Sequence, residues 1–203
     1  MDRPLAIALL LCAACTGCSN WTGFGFRADG SEMPRVKEVL RLDAGTVVAD
    51  VGAGKGELTF ALARAVGSAG RVFSTEIDAG RLRALRESVL AAKLGNVTVV
   101  EAQAGDSGLP PNCCDAIVLR RVYHHLVDPA GFNASLLRAL RPGGVLAVID
   151  FPPPFFLGRG EFGVPAEAVI GEVVGSGFQL VRLMEDWPGR GPLGAYCVVF
   201  RKP

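Results

Sequence analysis

Gly52, Gly54 and Gly56, with the acids around them, are the residues of this chain best suited to hold a ligand. They follow the apolar run Val47-Val48-Ala49 and the acid Asp50, and apolar residues at helical spacing (Leu58, Leu62, Ala65, Val66) come next. That order predicts a buried strand, a tight turn and a helix. Glycine has no Cβ and tolerates positive φ, so backbone in such a turn can closely approach a bound molecule. The following helix directs N–H groups at the same place. The chemistry expected there is the docking of something small and polar. A phosphate-cradling loop needs Gly, four residues and Gly-Lys-Ser/Thr, whereas Lys55 is followed by Gly56. The dinucleotide pattern G-x-G-x-x-G is one residue longer than the G-x-G-x-G present here.

A further acid strengthens the case. The strand predicted over Arg71–Thr75 ends on Glu76, roughly 20 residues past the turn, where a carboxylate meets a nucleoside ribose. It can accept hydrogen bonds from both ribose hydroxyls. The alternative is that Glu76 or Asp78 caps the next helix, a role Asp78 fits well. A third strand is predicted over Asn96–Val100, then a loop carrying Glu101, Gln103 and Asp106, then a fourth strand over 116–119. A helix should begin at Asp128 (cap) and Pro129, with Phe132, Leu136 and Leu140 on one face, and stop at Arg141-Pro142-Gly143-Gly144. VLAVID is a fifth strand, and a helix, a strand after Gly177-Phe178 and a terminal strand over 194–200 complete the chain. Alternating strands and helices imply a mostly parallel sheet covered on both faces.

VVADVGAGKG closely resembles the first motif of the class I S-adenosylmethionine (SAM) dependent methyltransferases. The likeness continues through Glu76, through Asp106, Leu109-Pro110 and Asp115, and through HHL…DP…LRPGG, and it spans 33–201. It implies an α/β, Rossmann-like doubly wound fold with a mostly parallel seven-stranded sheet and helices on both faces. It implies SAM as cofactor, held by Asp50, Gly52, Ala53, Gly54 and Gly56, with Glu76 on the ribose. In the family the loop acid often reads the adenine amino group, and Asp106 is the residue chosen from Glu101, Gln103 and Asp106. The activity implied is in-line transfer of the SAM methyl group to a small-molecule acceptor that no motif identifies. Two other readings stay open: a SAM- or nucleoside-binding protein without catalysis, and an NAD(P)-dependent oxidoreductase, which the short glycine spacing disfavours.

No catalytic residue is assigned. Displacement from a sulfonium needs alignment above all, and a base only where the acceptor must lose a proton. His124 and His125, the chain's two histidines, follow the fourth strand. Each is a base, a substrate contact, or a ring bonded to nearby backbone; the last is favoured, with His125 the structural member, and Tyr123 shares the ambiguity. Arg120 and Arg121 face either the cofactor's carboxylate or solvent. Asp150 either approaches the substrate or caps the turn into Phe151-Pro152-Pro153-Pro154. The stretch 151–165, with Phe155, Phe156 and Phe162, is a substrate lid or a linker completing the core.

With 21 basic and 20 acidic residues, the chain lacks the electrostatic footprint of a nucleic-acid partner. Half its residues are apolar, enough for one core, and the methyltransferase domain is expected over 21–203. Residues 1–20 are different. The apolar run Leu5–Cys15 has signal-segment length and is too short to span a bilayer comfortably. Small residues before Cys15 and Cys18 resemble a bacterial lipoprotein cleavage site, and acylation there would anchor the protein to a membrane. The alternatives are a spurious upstream start with a cytoplasmic protein, or a metal site at Cys12, Cys15 and Cys18, disfavoured for want of a fourth ligand. No metal is expected, the oligomeric state is not encoded, and Cys113, Cys114 and Cys197 are expected as buried structural thiols.

Overall fold

The structure is a computed structural model, and the residues described are 32–153, 163–188 and 194–203. The 1–20 segment with its cysteines, and Phe155, Phe156 and Phe162, lie outside them. The strands are β1 (Val47–Val51), β2 (Arg71–Glu76), β3 (Val97–Glu101), β4 (Cys114–Arg120), β5 (Leu140–Asp150), β6 (Gln179–Trp187) and β7 (Ala195–Arg201). The helices are α1 (Glu32–Leu40), α2 (Glu57–Val66), α3 (Ala79–Ala91), α4 (Pro129–Ala139) and α5 (Ala166–Gly175), with a 3-10 turn over Tyr123–His125.

The strands form one seven-stranded sheet in the order β3-β2-β1-β4-β5-β7-β6. β1 to β5 pair in parallel, and β7 runs antiparallel between β5 and β6. The doubly wound, mostly parallel architecture expected from the alternation is therefore present. Its central strands are buried on both faces because side chains alternate. Ile117, Leu119, Leu146 and Val148 pack with Phe132 and Leu136 of α4 and Val169 and Val173 of α5. Ala116, Val118, Ala147 and Val48 pack with Val36 and Leu40 of α1 and Leu58 and Leu62 of α2.

Helix starts follow local chemistry. Asp78 caps α3 by accepting from the Arg81 N–H at 2.8 Å, and Asp128 caps α4 by accepting from the Gly131 N–H at 3.1 Å. α4 stops earlier than its apolar period suggests. Leu140 has already joined the sheet opposite Cys114, and the register then jumps to Ala116 opposite Val145. The Arg-Pro-Gly-Gly stretch is thus an irregularity of β5, with Gly143 at φ 76°. α1 was not anticipated: its buried stripe of Val36 and Leu40 is confined to nine residues, with Pro34 in the first turn.

The order places β2 on one side of β1 and β4 on the other. Chain crossovers depart in opposite directions there, which opens a crevice at the carboxyl ends of these strands.

Candidate active site

The glycine turn lies on that crevice. The Gly52 and Ala53 N–H groups both donate to the Thr75 carbonyl, at 3.0 and 2.9 Å, which straps the turn to β2. Gly52, Gly54 and Gly56 have φ of 73°, 56° and 81°, all in the left-handed region glycine tolerates best. Their requirements differ. A Cβ on Gly52 would lie 2.5 Å from Val122 Cγ2, and one on Gly56 would lie 2.6 Å from Leu85 Cδ1. A Cβ on Gly54 would meet nothing within 4 Å. Gly52 and Gly56 are therefore glycine for packing, and Gly54 opens onto free space. Gly56 is also the N-cap of α2, in left-handed conformation and with no side-chain cap.

Glu76, at the tip of β2, is buried, and backbone fixes its carboxylate. Oε2 accepts from the Gly54 N–H at 2.9 Å; Oε1 accepts from Ile77 at 2.9 Å and Asp78 at 3.0 Å. Since Asp78 caps α3, Glu76 has no capping task left beyond closing the turn. Three bonds leave Oε2 with one free site of the roughly four a carboxylate offers. A sugar hydroxyl can be accepted there, while a two-hydroxyl grip requires displacing the Gly54 N–H.

A cleft of about 550 Å³, counted to its open mouth, extends from this carboxylate, within the usual range for small-molecule sites. Gly52, Thr75 and Glu76 form its floor, and Ala102, Gln103 and Ala104 one wall. Val51, Ile77, Val122, His125, Leu126, Val127 and Phe132 complete it. Ile77 and Val127 are 56% and 89% exposed and so offer apolar surface to a molecule bound in the cleft.

The other candidate residues do not all gather here. Asp50 is buried beneath the turn, where Oδ2 accepts from the Thr59 hydroxyl at 2.6 Å, and Thr59 in turn meets Ser74 at 2.7 Å. Burial pushes the Asp50 carboxyl up to about 6, against the hydrogen bond from Thr59 and the charge of Arg120. Asp106 turns away: Oδ2 pairs with Arg138 at 2.7 Å and Oδ1 accepts from the Gly108 N–H at 2.8 Å. It does not line the cleft, whereas Gln103 from the same loop does.

The histidines reverse the expectation. His124 is the buried, structural one, and its partner is a side chain: Nδ1 lies 2.8 Å from Asp150 Oδ1 and 3.0 Å from Oδ2. Asp150 is fully buried and also accepts from the backbone N–H of His124 at 3.2 Å and of Phe151 at 2.9 Å. A carboxylate accepts, so Nδ1 carries a proton and donates it to Asp150. His125 lines the cleft, and its ring centroid lies 3.9 Å from that of His124. Tyr123 is buried and accepts from Asn133 Nδ2 at 2.8 Å.

Arg120 faces neither cofactor space nor open solvent. Its Nε donates to both Glu32 oxygens, at 3.2 and 3.0 Å, and Trp187 Nε1 donates to Glu32 Oε1 at 3.1 Å. Burial lowers the pKa of the Arg121 guanidinium, and Arg121 holds φ at 61°. The sequence gives no sign of the Glu32–Arg120 pairing, because 88 residues separate the partners. Among the described residues no group of three or more His, Cys, Asp or Glu side chains could hold a metal ion.

A scaffold of this kind serves several nucleoside ligands, and the comparisons with known proteins decide among them. The chain belongs to the class I SAM-dependent methyltransferases, whose cofactor is S-adenosylmethionine. Residues 49–148 match the family described as "Methyltransferase domain". A stretch of 112 residues is 34% identical to the ubiquinone/menaquinone biosynthesis C-methyltransferase UbiE of Marinomonas sp. (strain MWYL1), covering 55% of this chain and 45% of that one. The chain thus spans about half the length of the curated relatives it matches. A SAM-dependent methyltransferase from Aquifex aeolicus superimposes with a TM-score of 0.72 at 26% identity, covering 85% of this chain and 90% of that one. The [4+2]-cyclase SpnF shares the fold at the same TM-score and 20% identity, covering 84% of this chain and 79% of its own.

The residues present fit the cofactor. The side of Gly54 that a Cβ would fill is free, Glu76 keeps one acceptor site, and apolar lining residues suit a nucleobase.

Proposed function

We propose that this protein transfers the methyl group of SAM to a small-molecule acceptor by in-line displacement. The observation that carries this reading is Glu76, a buried carboxylate held rigid at the cleft floor beside the one glycine of the turn that opens onto free space. SAM supplies a sulfonium whose methyl group is already activated. The chain's part is alignment and exclusion of water. Gly52, Ala53, Gly54 and Gly56 let backbone close on the amino-acid and ribose parts, and Glu76 accepts a ribose hydroxyl. Ile77, Leu126 and Phe132, which line the cleft, enclose the adenine in this reading. Gln103 supplies its polar edge in place of Asp106, which is engaged with Arg138 and Gly108. Asp50 acts from beneath the turn, by holding Thr59 and α2 against β2.

The near balance of 21 basic and 20 acidic residues supports a small acceptor over a nucleic acid. The UbiE relatives are named as C-methyltransferases, which makes carbon acceptors the first class to screen. We further propose that 21–203 is the catalytic domain and that residues 1–20 act as a signal-type segment lipidated at Cys15 or Cys18, tested by the intact mass of protein recovered from membranes.

Calorimetric titration of SAM, and separately of NADH, into wild type and Glu76→Ala tests the central claim. Micromolar SAM binding, weakened at least about tenfold in the variant through loss of one hydrogen bond to a charged group, with no NADH heat, is the expected result. A folded protein that ignores SAM overturns it. SAM binding without turnover across an acceptor panel favours the non-catalytic reading instead.

A further inference from the structure

Away from the cleft, at the opposite end of β4, two thiols lie side by side. Cys113 Sγ and Cys114 Sγ are 3.0 Å apart, and both cysteines are unbridged. Cys113 is partly exposed, whereas Cys114 is fully buried as the first residue of β4. The expectation that adjacent cysteines serve only as packing does not account for this contact. We propose that Cys113 and Cys114 form a reversible oxidation site for small hydroperoxides, closing to a disulfide between adjacent residues.

The two sulfurs have unequal environments, as attack and resolution require. The neighbouring Cys114 thiol lowers the pKa of Cys113 most, burial opposes it, and the Arg141 guanidinium adds a smaller lowering. The bond to Cys113, together with burial, pushes Cys114 far up and keeps it a thiol. Burial likewise pushes up Cys197, which lies inside β7 and has no comparable activation. The Cys113 thiolate attacks one peroxide oxygen and the O–O bond breaks, giving a sulfenic acid and hydroxide, or alkoxide from an organic peroxide. Cys114 sulfur then attacks the sulfenic sulfur; S–S forms, S–O breaks, and oxygen leaves as water with the thiol proton. The peroxide gains two electrons and the thiol pair loses two.

Closing from 3.0 Å to a bonded S–S distance of about 2.0 Å needs local backbone movement, and the strand pairing beside the two thiols is irregular. The β4–β5 register breaks between Cys114 and Ala116, and Asn112 just before the pair sits at φ 49°. The site is separate from the cofactor cleft, since β4 is seven residues long and extends roughly 20 Å.

The test is mild hydrogen peroxide on the full chain, followed by tryptic mass mapping. The peptide over 94–120 holds Cys113 and Cys114 and no other cysteine, and the peptide over 191–201 carries Cys197. Expected is loss of two hydrogens from the 94–120 peptide, roughly tenfold or more faster than any change at Cys197, and reversal by dithiothreitol. In Cys114→Ser, Cys113 should accumulate as a sulfenic acid trapped by dimedone; in Cys113→Ser, Cys114 should stay unreacted. SAM binding by both variants reports retained folding. Oxidation of Cys197 at an equal rate, capture of Cys114 ahead of Cys113, or cross-linking of Cys113 to another cysteine overturns the proposal.

Discussion

Gly54 and Gly52 share a backbone conformation but differ in what surrounds them, which separates ligand space from packing. Gly54→Ala forces a left-handed alanine at a cost of about 1–2 kcal/mol, with no clash to add. Its methyl group enters the space where we place the cofactor, so SAM binding should fall far more than the melting temperature. Gly52→Ala carries the same backbone cost plus overlap with Val122, worth about 1–3 kcal/mol more, and should lose stability first. Differential scanning calorimetry beside SAM titration distinguishes the two, and equal SAM affinity in Gly54→Ala and wild type would refute the placement. Asp50 gives a pH signature. Its carboxyl is raised from 3.8 to about 6 in the folded protein, so the folded state holds that proton more tightly than the unfolded chain. The stability this group contributes is full below pH 3.8 and is lost as pH rises through about 6. The change is on the order of 3 kcal/mol. Asp50→Asn removes the titration, so its stability relative to wild type should climb between pH 4 and pH 7. Parallel urea-denaturation profiles for the two proteins across that window would contradict this.

Between elements, buried polar contacts hold what apolar packing does not specify. Asp150 ties the end of β5 to the 3-10 turn by accepting from His124 Nδ1 and from two backbone N–H groups. Asp150→Ala leaves two buried donors of His124 and the half-buried Phe151 N–H without their acceptor and should cost on the order of 3–5 kcal/mol. Asp150→Asn keeps one acceptor oxygen and should cost less. Hydrogen exchange should rise at residues 122–126 in the alanine variant, and unchanged protection there would show that the turn stands without the carboxylate. This contact also marks what the sequence could convey. β1 and β4 were readable because β-branched and apolar runs ending at turns have one sensible structure, and α3 and α4 announced themselves through Asp78 and Asp128. The glycine turn and Glu76 were readable too, since a backbone constraint leaves its mark within a short stretch of chain. His124 and His125 were not separable, because adjacent residues on a 3-10 turn face different surroundings that only the arrival of β5 decides. Asp106 looked like the residue at the cleft, but Arg138 on α4 takes its carboxylate from 32 residues away. Sheet order and the antiparallel insertion of β7 depend on non-local pairing in the same way.

For the molecule as a whole, the cleft joins parts that the chain presents far apart: the β1 turn, the β2 tip, the loop after β3 and the turn after β4. A ligand lying across all four is expected to stabilise the native state as a unit, and no segment of the chain offers such a site when unfolded. Linkage then fixes the size of the effect: at a SAM concentration about 100 times Kd the gain is about 2.7 kcal/mol. For a chain of 203 residues this corresponds to a rise in melting temperature of roughly 5–10 °C. Glu76→Ala should shrink the rise at the same SAM concentration with the logarithm of its lost affinity, a tenfold loss roughly halving it, while Cys113→Ser, at the far end of β4, should leave it intact. A shift that survives Glu76→Ala unchanged would place the cofactor elsewhere on the sheet edge, because mass action makes the shift depend on ligand concentration and affinity alone. The exposed Ile77 and Val127 at the cleft mouth sharpen the test. If SAM lies between them, their amides should gain protection from hydrogen exchange in step with the thermal shift, and the acceptor then has to reach the methyl group from the side of the cleft that the nucleoside leaves open.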